Sequence, residues 1–95
     1  MYSQWLDGRI VTAGVEEMYD EDGTYRLFAV VCMVAGKGRG IRTMKYYFDL
    51  LDHDDNDALS GLLERFGIGP KDGKRLWGQL KSLENERVRI RNAEG

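Results

Sequence analysis

The chain has 95 residues, 42% of them hydrophobic and 32% charged, with a formal net charge of −2 at pH 7. This length predicts a single domain over residues 1–95, and the composition suits one modest core rather than a separate catalytic domain. The longest uncharged stretch, residues 27–36, is about half of what a membrane helix needs. Because Cys32 is the only cysteine, a disulfide-stapled secreted scaffold is excluded and we expect a cytoplasmic protein.

Charge is distributed unevenly along the chain. Residues 1–22 carry six acidic side chains and one basic one, and five further aspartates lie within residues 49–57. Two other stretches, residues 37–45 and 71–91, are predominantly basic. A chain that is nearly neutral on average can therefore present a basic face.

The first half of the chain predicts a three-stranded antiparallel meander. Residues 8–18 alternate loosely as a strand does, with Ile10 and Ala13 expected on opposite faces, and the Asp22-Gly23 pair predicts a hairpin. Residues 25–35 are apolar on both faces, which is typical of a strand in the middle of a sheet. The third strand, residues 41–51, places its core side chains on one face: Met44, Tyr46, Phe48 and Leu50.

The second half predicts two helices and a further strand. Apolar residues at helical spacing over 59–66 indicate an amphipathic helix, which Asp55 or Asn56 would cap and Gly67 would end. A shorter helix capped by Asp72 would face the core with Leu76, Trp77, Leu80 and Leu83. Residues 87–91 then alternate arginine with valine and isoleucine, as a strand with an outward basic face does. The predicted fold class is α+β, a partial OB-like barrel in the order βββ-α-α-β.

No pattern in the sequence predicts catalysis, a metal or a cofactor. A calcium loop counted from Asp52 would need glycine where Asp57 stands and glutamate where Leu63 stands, so we interpret these aspartates as helix-capping residues. His53 is the only histidine, and Cys32 is expected to be an inert buried thiol. Neither a zinc site nor a Cys–His dyad can be assembled from them, and we expect a protein that is not an enzyme.

Basic and aromatic residues favour a nucleic-acid surface. The Gly-Lys-Gly-Arg-Gly loop at residues 36–40 leads into a strand, which excludes a Walker A loop but suits contact with phosphates. An aromatic and a cation on one solvated strand face are what base stacking requires. The outward arginines either follow a phosphate backbone or protect a sheet edge. The predicted contact set is Lys37, Arg39, Lys45, Tyr47, Arg87, Arg89 and Arg91.

Residues 13–91 resemble a family of small phage and prophage proteins thought to bind single-stranded DNA. Four segments carry the resemblance: Gly23-Thr24-Tyr25, the basic loop at 37–40, the leucine-rich segment at 59–68 and the Val-Arg-Ile-Arg strand at 88–91. The resemblance implies an OB fold, single-stranded DNA as partner and a role in DNA replication or recombination. Because no sequence remains for a fifth strand, we expect an open barrel completed by a second copy, as a homodimer, or by a protein partner.

Two functions stay open from the sequence. The first is a nucleic-acid-binding module, with DNA and RNA not distinguished. The second is a small protein-interaction domain, such as a phage accessory or inhibitor protein, that uses the acidic segments 16–22 and 49–57 against a basic partner. The sequence pI of about 5.4 is low for a general DNA binder and counts against the first, which is nevertheless the function we predict, with the second as the alternative.

Overall fold

The computed structural model describes residues 3–36 and 40–93. Its elements, in chain order, are β1 (Ser3–Tyr19), β2 (Tyr25–Ala35), β3 (Arg42–Asp49), α1 (His53–Arg65), α2 (Leu76–Leu83) and β4 (Arg87–Ala93). The four strands form one antiparallel sheet in the order β3-β2-β1-β4. The α+β class and the βββ-α-α-β order are confirmed, and the open sheet is consistent with a partial barrel.

β1 is the longest strand and has two successive partners. It pairs with β4 from Ser3 to Arg9 and with β2 from Gly8 to Tyr19, so both partners are present only at Gly8 and Arg9. A Cβ at Gly8 would overlap the Val34 carbonyl oxygen and lie 2.9 Å from the Ala35 Cβ. Glycine therefore allows the close backbone approach at which β1 exchanges partners. The strand begins at Ser3 rather than at the predicted Gly8.

A β-bulge resets the alternation of side chains along β1. The register passes from Ile10 opposite Met33 to Thr12 opposite Cys32, which leaves Val11 as the additional residue. Ile10 and Ala13 are consequently both buried, at 0% and 2% exposure. The prediction that these two residues lie on opposite faces is wrong, because strict alternation does not hold across a bulge.

The helices cover one face of the sheet, here called the covered face. β2 contributes buried Ala29, Val31 and Met33 to it, and fully buried leucines of both helices pack there, including Leu63 and Leu80. As predicted, β2 lies in the middle of the sheet, between β3 and β1. No helix in residues 3–36 and 40–93 has the length and apolar character to cross a membrane.

α1 begins one turn earlier than the leucine pattern indicates. The Asp52 side chain accepts a hydrogen bond from the Asp55 N–H at 2.9 Å and caps the helix. The prediction of Asp55 or Asn56 as the cap is wrong, because the Asp55 carboxylate accepts instead from the Asp49 N–H at 2.7 Å. Gly67, at φ 72°, ends the helix in the left-handed conformation, as predicted.

α2 turns a different side chain toward the core than expected. Leu76, Leu80 and Leu83 are buried as predicted, but Trp77 is 66% exposed. Gln79 is buried in its place, because it stands three residues after Leu76 and so shares the face of the leucines. The N-cap residue of α2 is Arg75, which makes no side-chain capping hydrogen bond, so the prediction of Asp72 as the cap is also wrong.

β3 forms one edge of the sheet, and β4 forms the other edge alongside residues 3–9 of β1. In β3, Met44 and Phe48 face the helices as predicted, whereas Tyr46 on the same face stays 42% exposed because no further strand covers it. In β4, Val88 packs against the core, while Arg87 and Arg89 are exposed. Cys32 is half-buried rather than buried, because it lies on the sheet face that the helices leave uncovered.

Candidate functional site

The face of the sheet opposite the helices, here called the open face, carries polar, aromatic and basic side chains. Residues directly opposite each other in an antiparallel pair share a face, so the register assigns each strand's contribution. The open face comprises Trp5, Asp7, Arg9, Thr12, Gly14, Glu16 and Met18 of β1, Arg26, Phe28, Val30, Cys32 and Val34 of β2, Thr43, Lys45, Tyr47 and Asp49 of β3, and Arg87 and Arg89 of β4.

Two arginines stand directly opposite each other on this face. Arg9 of β1 pairs in register with Arg87 of β4, and both side chains are exposed. Among the described residues, neither forms an ion pair with a carboxylate. Both line a surface depression together with Asp7 and Arg89. Like charges directly opposite on two strands are destabilising, so this pair favours an anion between or above the guanidinium groups.

An exposed tryptophan lies on the same face, four residues before Arg9 along β1. The Trp5 side chain is 59% exposed, and the Arg89 guanidinium lies 6.0 Å from the centroid of its ring. Asp7 is 3.9 Å from the Arg89 Nε, and both side chains are largely solvated, so this ion pair is weak. The end of the sheet where β1 meets β4 therefore offers an aromatic surface flanked by cations.

A second group of candidate side chains lies on β2 and β3. Tyr47 is 49% exposed, and its ring meets Phe28 edge-on, with centroids 6.0 Å apart and planes at 87°. Lys45 is exposed two residues earlier on the same strand and face. The contact with Phe28 fixes the Tyr47 ring while leaving much of it open to solvent, as a stacking surface requires.

The two groups lie along one diagonal of the open face. A single row across all four strands consists of Arg87, Arg9, Val34 and Thr43. On β3, Lys45 and Tyr47 lie two and four residues beyond Thr43, toward one end of the sheet. On β4, Arg89 lies two residues beyond Arg87, toward the opposite end. For a flat sheet the diagonal from Arg89 to Tyr47 measures about 25 Å. That length is sufficient for about four nucleotides of an extended single strand.

The sequence-predicted contact residues divide into three sets. Lys45, Tyr47, Arg87 and Arg89 share the open face as predicted. Arg91 occupies the β4 position opposite Trp5. Lys37 and Arg39 lie outside the described residues.

Sequence reasoning missed Trp5 and Arg9. Both belong to the first seven residues of β1, ahead of or just inside the point where the strand was predicted to begin. The alternation of Trp5, Asp7 and Arg9 with Leu6 and Gly8 is the signal that would have extended the strand.

Comparisons of the chain with protein-family models, curated proteins and solved structures give no match. The resemblance to phage single-stranded-DNA-binding proteins therefore stays a prediction.

Several acidic side chains of the second candidate surface are occupied within the chain. Asp20 forms an ion pair with Arg26 at 2.8 Å, and hydrogen bonds from Thr24 lower the pKa of Asp22. In the 49–57 segment, Asp52 and Asp55 accept backbone hydrogen bonds at the start of α1. Among residues 3–36 and 40–93, no three His, Cys, Asp or Glu side chains lie together as metal ligands would.

Proposed function

We propose that this chain is a non-catalytic nucleic-acid-binding module of phage or prophage type that binds single-stranded DNA on its open face. The observation that carries the proposal is the Arg9–Arg87 couple, which has no ion-pair partner among residues 3–36 and 40–93 and shares its face with Trp5. A couple of cations opposed across two strands is a poor arrangement for stability alone, and it is a good one for a phosphate. A cytoplasmic location accords with the single thiol.

Binding would combine two interactions. The phosphate backbone would lie against Arg9, Arg87 and Arg89, releasing counterions as each phosphate is neutralised. Bases would stack on Trp5 at one end of the diagonal and on Tyr47 at the other, with Lys45 next to the backbone. Stacking and phosphate contacts of this kind do not read base edges, so the proposed mode is tolerant of sequence.

The alternative, a protein-interaction domain that uses its acidic segments, has less support. Asp20, Asp22, Asp52 and Asp55 already have partners within the chain. A basic protein would have to compete with these hydrogen bonds and ion pairs. An anion at the open face would displace no carboxylate of the described residues from Arg9 or Arg87. The alternative becomes the working hypothesis if the open face does not bind nucleic acid.

Two matched double variants test the proposal. Arg9→Gln with Arg87→Gln removes two cations from the open face, and Lys74→Gln with Arg75→Gln removes two exposed cations at the start of α2. Both proteins have the same net charge, so non-specific attraction weakens equally. We expect the open-face variant to bind labelled oligo-dT about fivefold or more weakly, with a slope of log K against log salt flatter by about 1.4. The α2 variant should stay close to the wild type.

Fluorescence anisotropy at two or more salt concentrations provides both quantities. Equal losses in the two variants would mean that only net charge matters, and the open face would then have no special role. Absence of binding by the wild type at low salt would overturn the proposal and direct attention to the acidic segments.

A further inference from the structure

The two edges of the sheet differ in whether they can pair with a second copy of themselves. When two copies of a strand are related by a two-fold axis normal to the sheet, every residue keeps its face. Odd-numbered residues therefore lie opposite odd-numbered residues, and even-numbered opposite even-numbered. On β4, arginines occupy positions 87, 89 and 91. Every such register centred within these positions sets arginine against arginine, so the β4 edge is protected against self-association.

The β3 edge has no comparable protection. Its eight residues, Arg42–Asp49, contain neither proline nor a bulge in their pairing with β2. On its outer side, β3 has no strand partner among the described residues. The Asp49 N–H is already donated to the Asp55 carboxylate. Along residues 43–47 an exposed and regular strand presents a row of free backbone donors and acceptors, which a further strand satisfies.

We propose that β3 pairs antiparallel with β3 of a second copy, on a two-fold axis through Tyr46. On the open face this register sets Lys45 opposite Tyr47 and Thr43 opposite Asp49. On the covered face it sets Met44 opposite Phe48. Cation–aromatic and apolar cross-strand pairs are favourable, and no like charges meet.

Neighbouring registers are poorer. An axis through Lys45 sets that ammonium group against its own copy, which is destabilising. An axis through Tyr47 pairs only residues 45–49 of the strand, so it forms fewer backbone hydrogen bonds than the axis through Tyr46, which pairs residues 43–49. The axis through Tyr46 is the one that combines the longest pairing with complementary side chains.

A groove next to this edge gives a second reason for an added strand. It is lined by Met33, Tyr46 and Phe48 of the sheet and by Leu62 of α1. A strand that continues the sheet beyond β3 would cover the apolar part of this groove, and the open faces of the two copies would become continuous. The pairing requires no nucleic acid, so it stands or fails independently of the proposed function.

Charge placed at two positions of the edge tests the register. Tyr46→Lys puts an ammonium group opposite its own symmetry mate, whereas Thr43→Lys puts one opposite Asp49. Light scattering on the wild type at about 100 μM should approach twice 10.9 kDa. We expect Tyr46→Lys to weaken the dimer at least about tenfold, and Thr43→Lys to retain or strengthen it. A wild type of monomeric mass, or equal disruption by the two lysines, would overturn the proposal.

A cross-link tests the same axis without depending on the folding of the lysine variants. In a Cys32→Ser background, Tyr46→Cys places two cysteines opposite each other at about 4.5–5.5 Å between Cα atoms, which suits a disulfide. Under mild oxidation we expect a covalent dimer from Tyr46→Cys and little from Tyr47→Cys. The reverse preference would place the axis at Tyr47 and contradict the proposed register.

Discussion

The two faces of this sheet are made by the same four strands, but the side chains of one face are buried under the helices and many of those on the other are exposed. The covered face consists of apolar side chains such as Ile10 and Val31, both fully buried against the helices. The open face carries the exposed side chains of Arg9, Arg87 and Trp5. The covered face therefore specifies the fold, and the open face is free to serve binding. The following predictions test this division.

The largest effect is expected from truncating a helix residue on the covered face. Leu63 is fully buried, and Leu63→Ala should lower the free energy of unfolding by about 2–5 kcal/mol, because it removes apolar contacts and leaves a cavity. The matched control is Leu51→Ala at a side chain that is 66% exposed, where we expect a change within about 0.5 kcal/mol. Urea titration measures both, and similar losses at the two positions would contradict the division.

Two glycines of β1, one on each face of the sheet, allow the effect of one added methyl group to be compared between the faces. At Gly8 the added Cβ meets the backbone and side chain of β2, whereas at Gly14 it meets nothing within 4 Å. Gly8→Ala should destabilise the protein by about 1–3 kcal/mol through overpacking. Gly14→Ala should be neutral or stabilising, since alanine reduces the entropy of the unfolded chain. Thermal unfolding of both variants measures the two effects. Equal melting temperatures would mean that the close approach of β1 to β2 at Gly8 does not require glycine.

The opposed arginines predict a substitution that stabilises the free protein. Arg87→Gln removes the like-charge contact with Arg9, so the free energy of unfolding at low salt should rise by about 0.2–1 kcal/mol. Arg89→Gln serves as the control, because Arg89 contacts Asp7 and Trp5 and its loss should give no such gain. Added salt should reduce the difference between the two variants. If Arg87→Gln were destabilising, the couple would be structural rather than a binding feature.

The smallest effect concerns Glu84, which contacts β1 two residues after the bulge at Val11. The Glu84 carboxylate accepts from the Ala13 N–H at 3.1 Å and from Lys81 at 3.1 Å, and these hydrogen bonds lower the pKa of Glu84. A lowered pKa in the folded state stabilises the protein above the ordinary value of 4.5, and this contribution is lost as the pH falls through the folded pKa.

Glu84→Gln should therefore be less stable than the wild type at pH 7, and the two proteins should become alike as the pH falls below the lowered pKa of Glu84. Denaturant titrations across this pH range check the prediction. A difference in stability that does not depend on pH would mean that the charge of Glu84 has no role at the bulge.

The sequence predicted the parts of the fold that follow from regular periodicity. β2 was predicted with its observed bounds, Tyr25–Ala35, because its apolar run ends in turn residues at both ends. The faces of β3 were predicted correctly because no bulge interrupts its alternation. Ile10 and Trp77 were assigned to the wrong faces. A bulge leaves no mark in the pattern of β1, and tryptophan is apolar enough to be taken for a core residue.

The candidate site could be predicted only in part. Lys45, Tyr47, Arg87 and Arg89 were assigned to outward strand faces by local alternation. That β3 and β4 present these residues on the same face follows from the long-range register of β1 with both β2 and β4, which no local pattern contains. The Arg9–Arg87 couple depends on this register as well. It was therefore accessible only from the structure.

The two exposed tryptophans offer the most direct test of the claim that the open face binds single strands. Trp5 lies on the open face and Trp77 on the outer side of α2, each with a cation near its ring. Trp77→Phe leaves Trp5 as the only reporter, and Trp5→Phe leaves Trp77. Titration with oligo-dT at low salt should quench the fluorescence of the Trp77→Phe protein, because bases stack on Trp5, and should leave that of the Trp5→Phe protein nearly unchanged. Quenching of Trp77 with Trp5 unaffected, or of neither, would contradict the account.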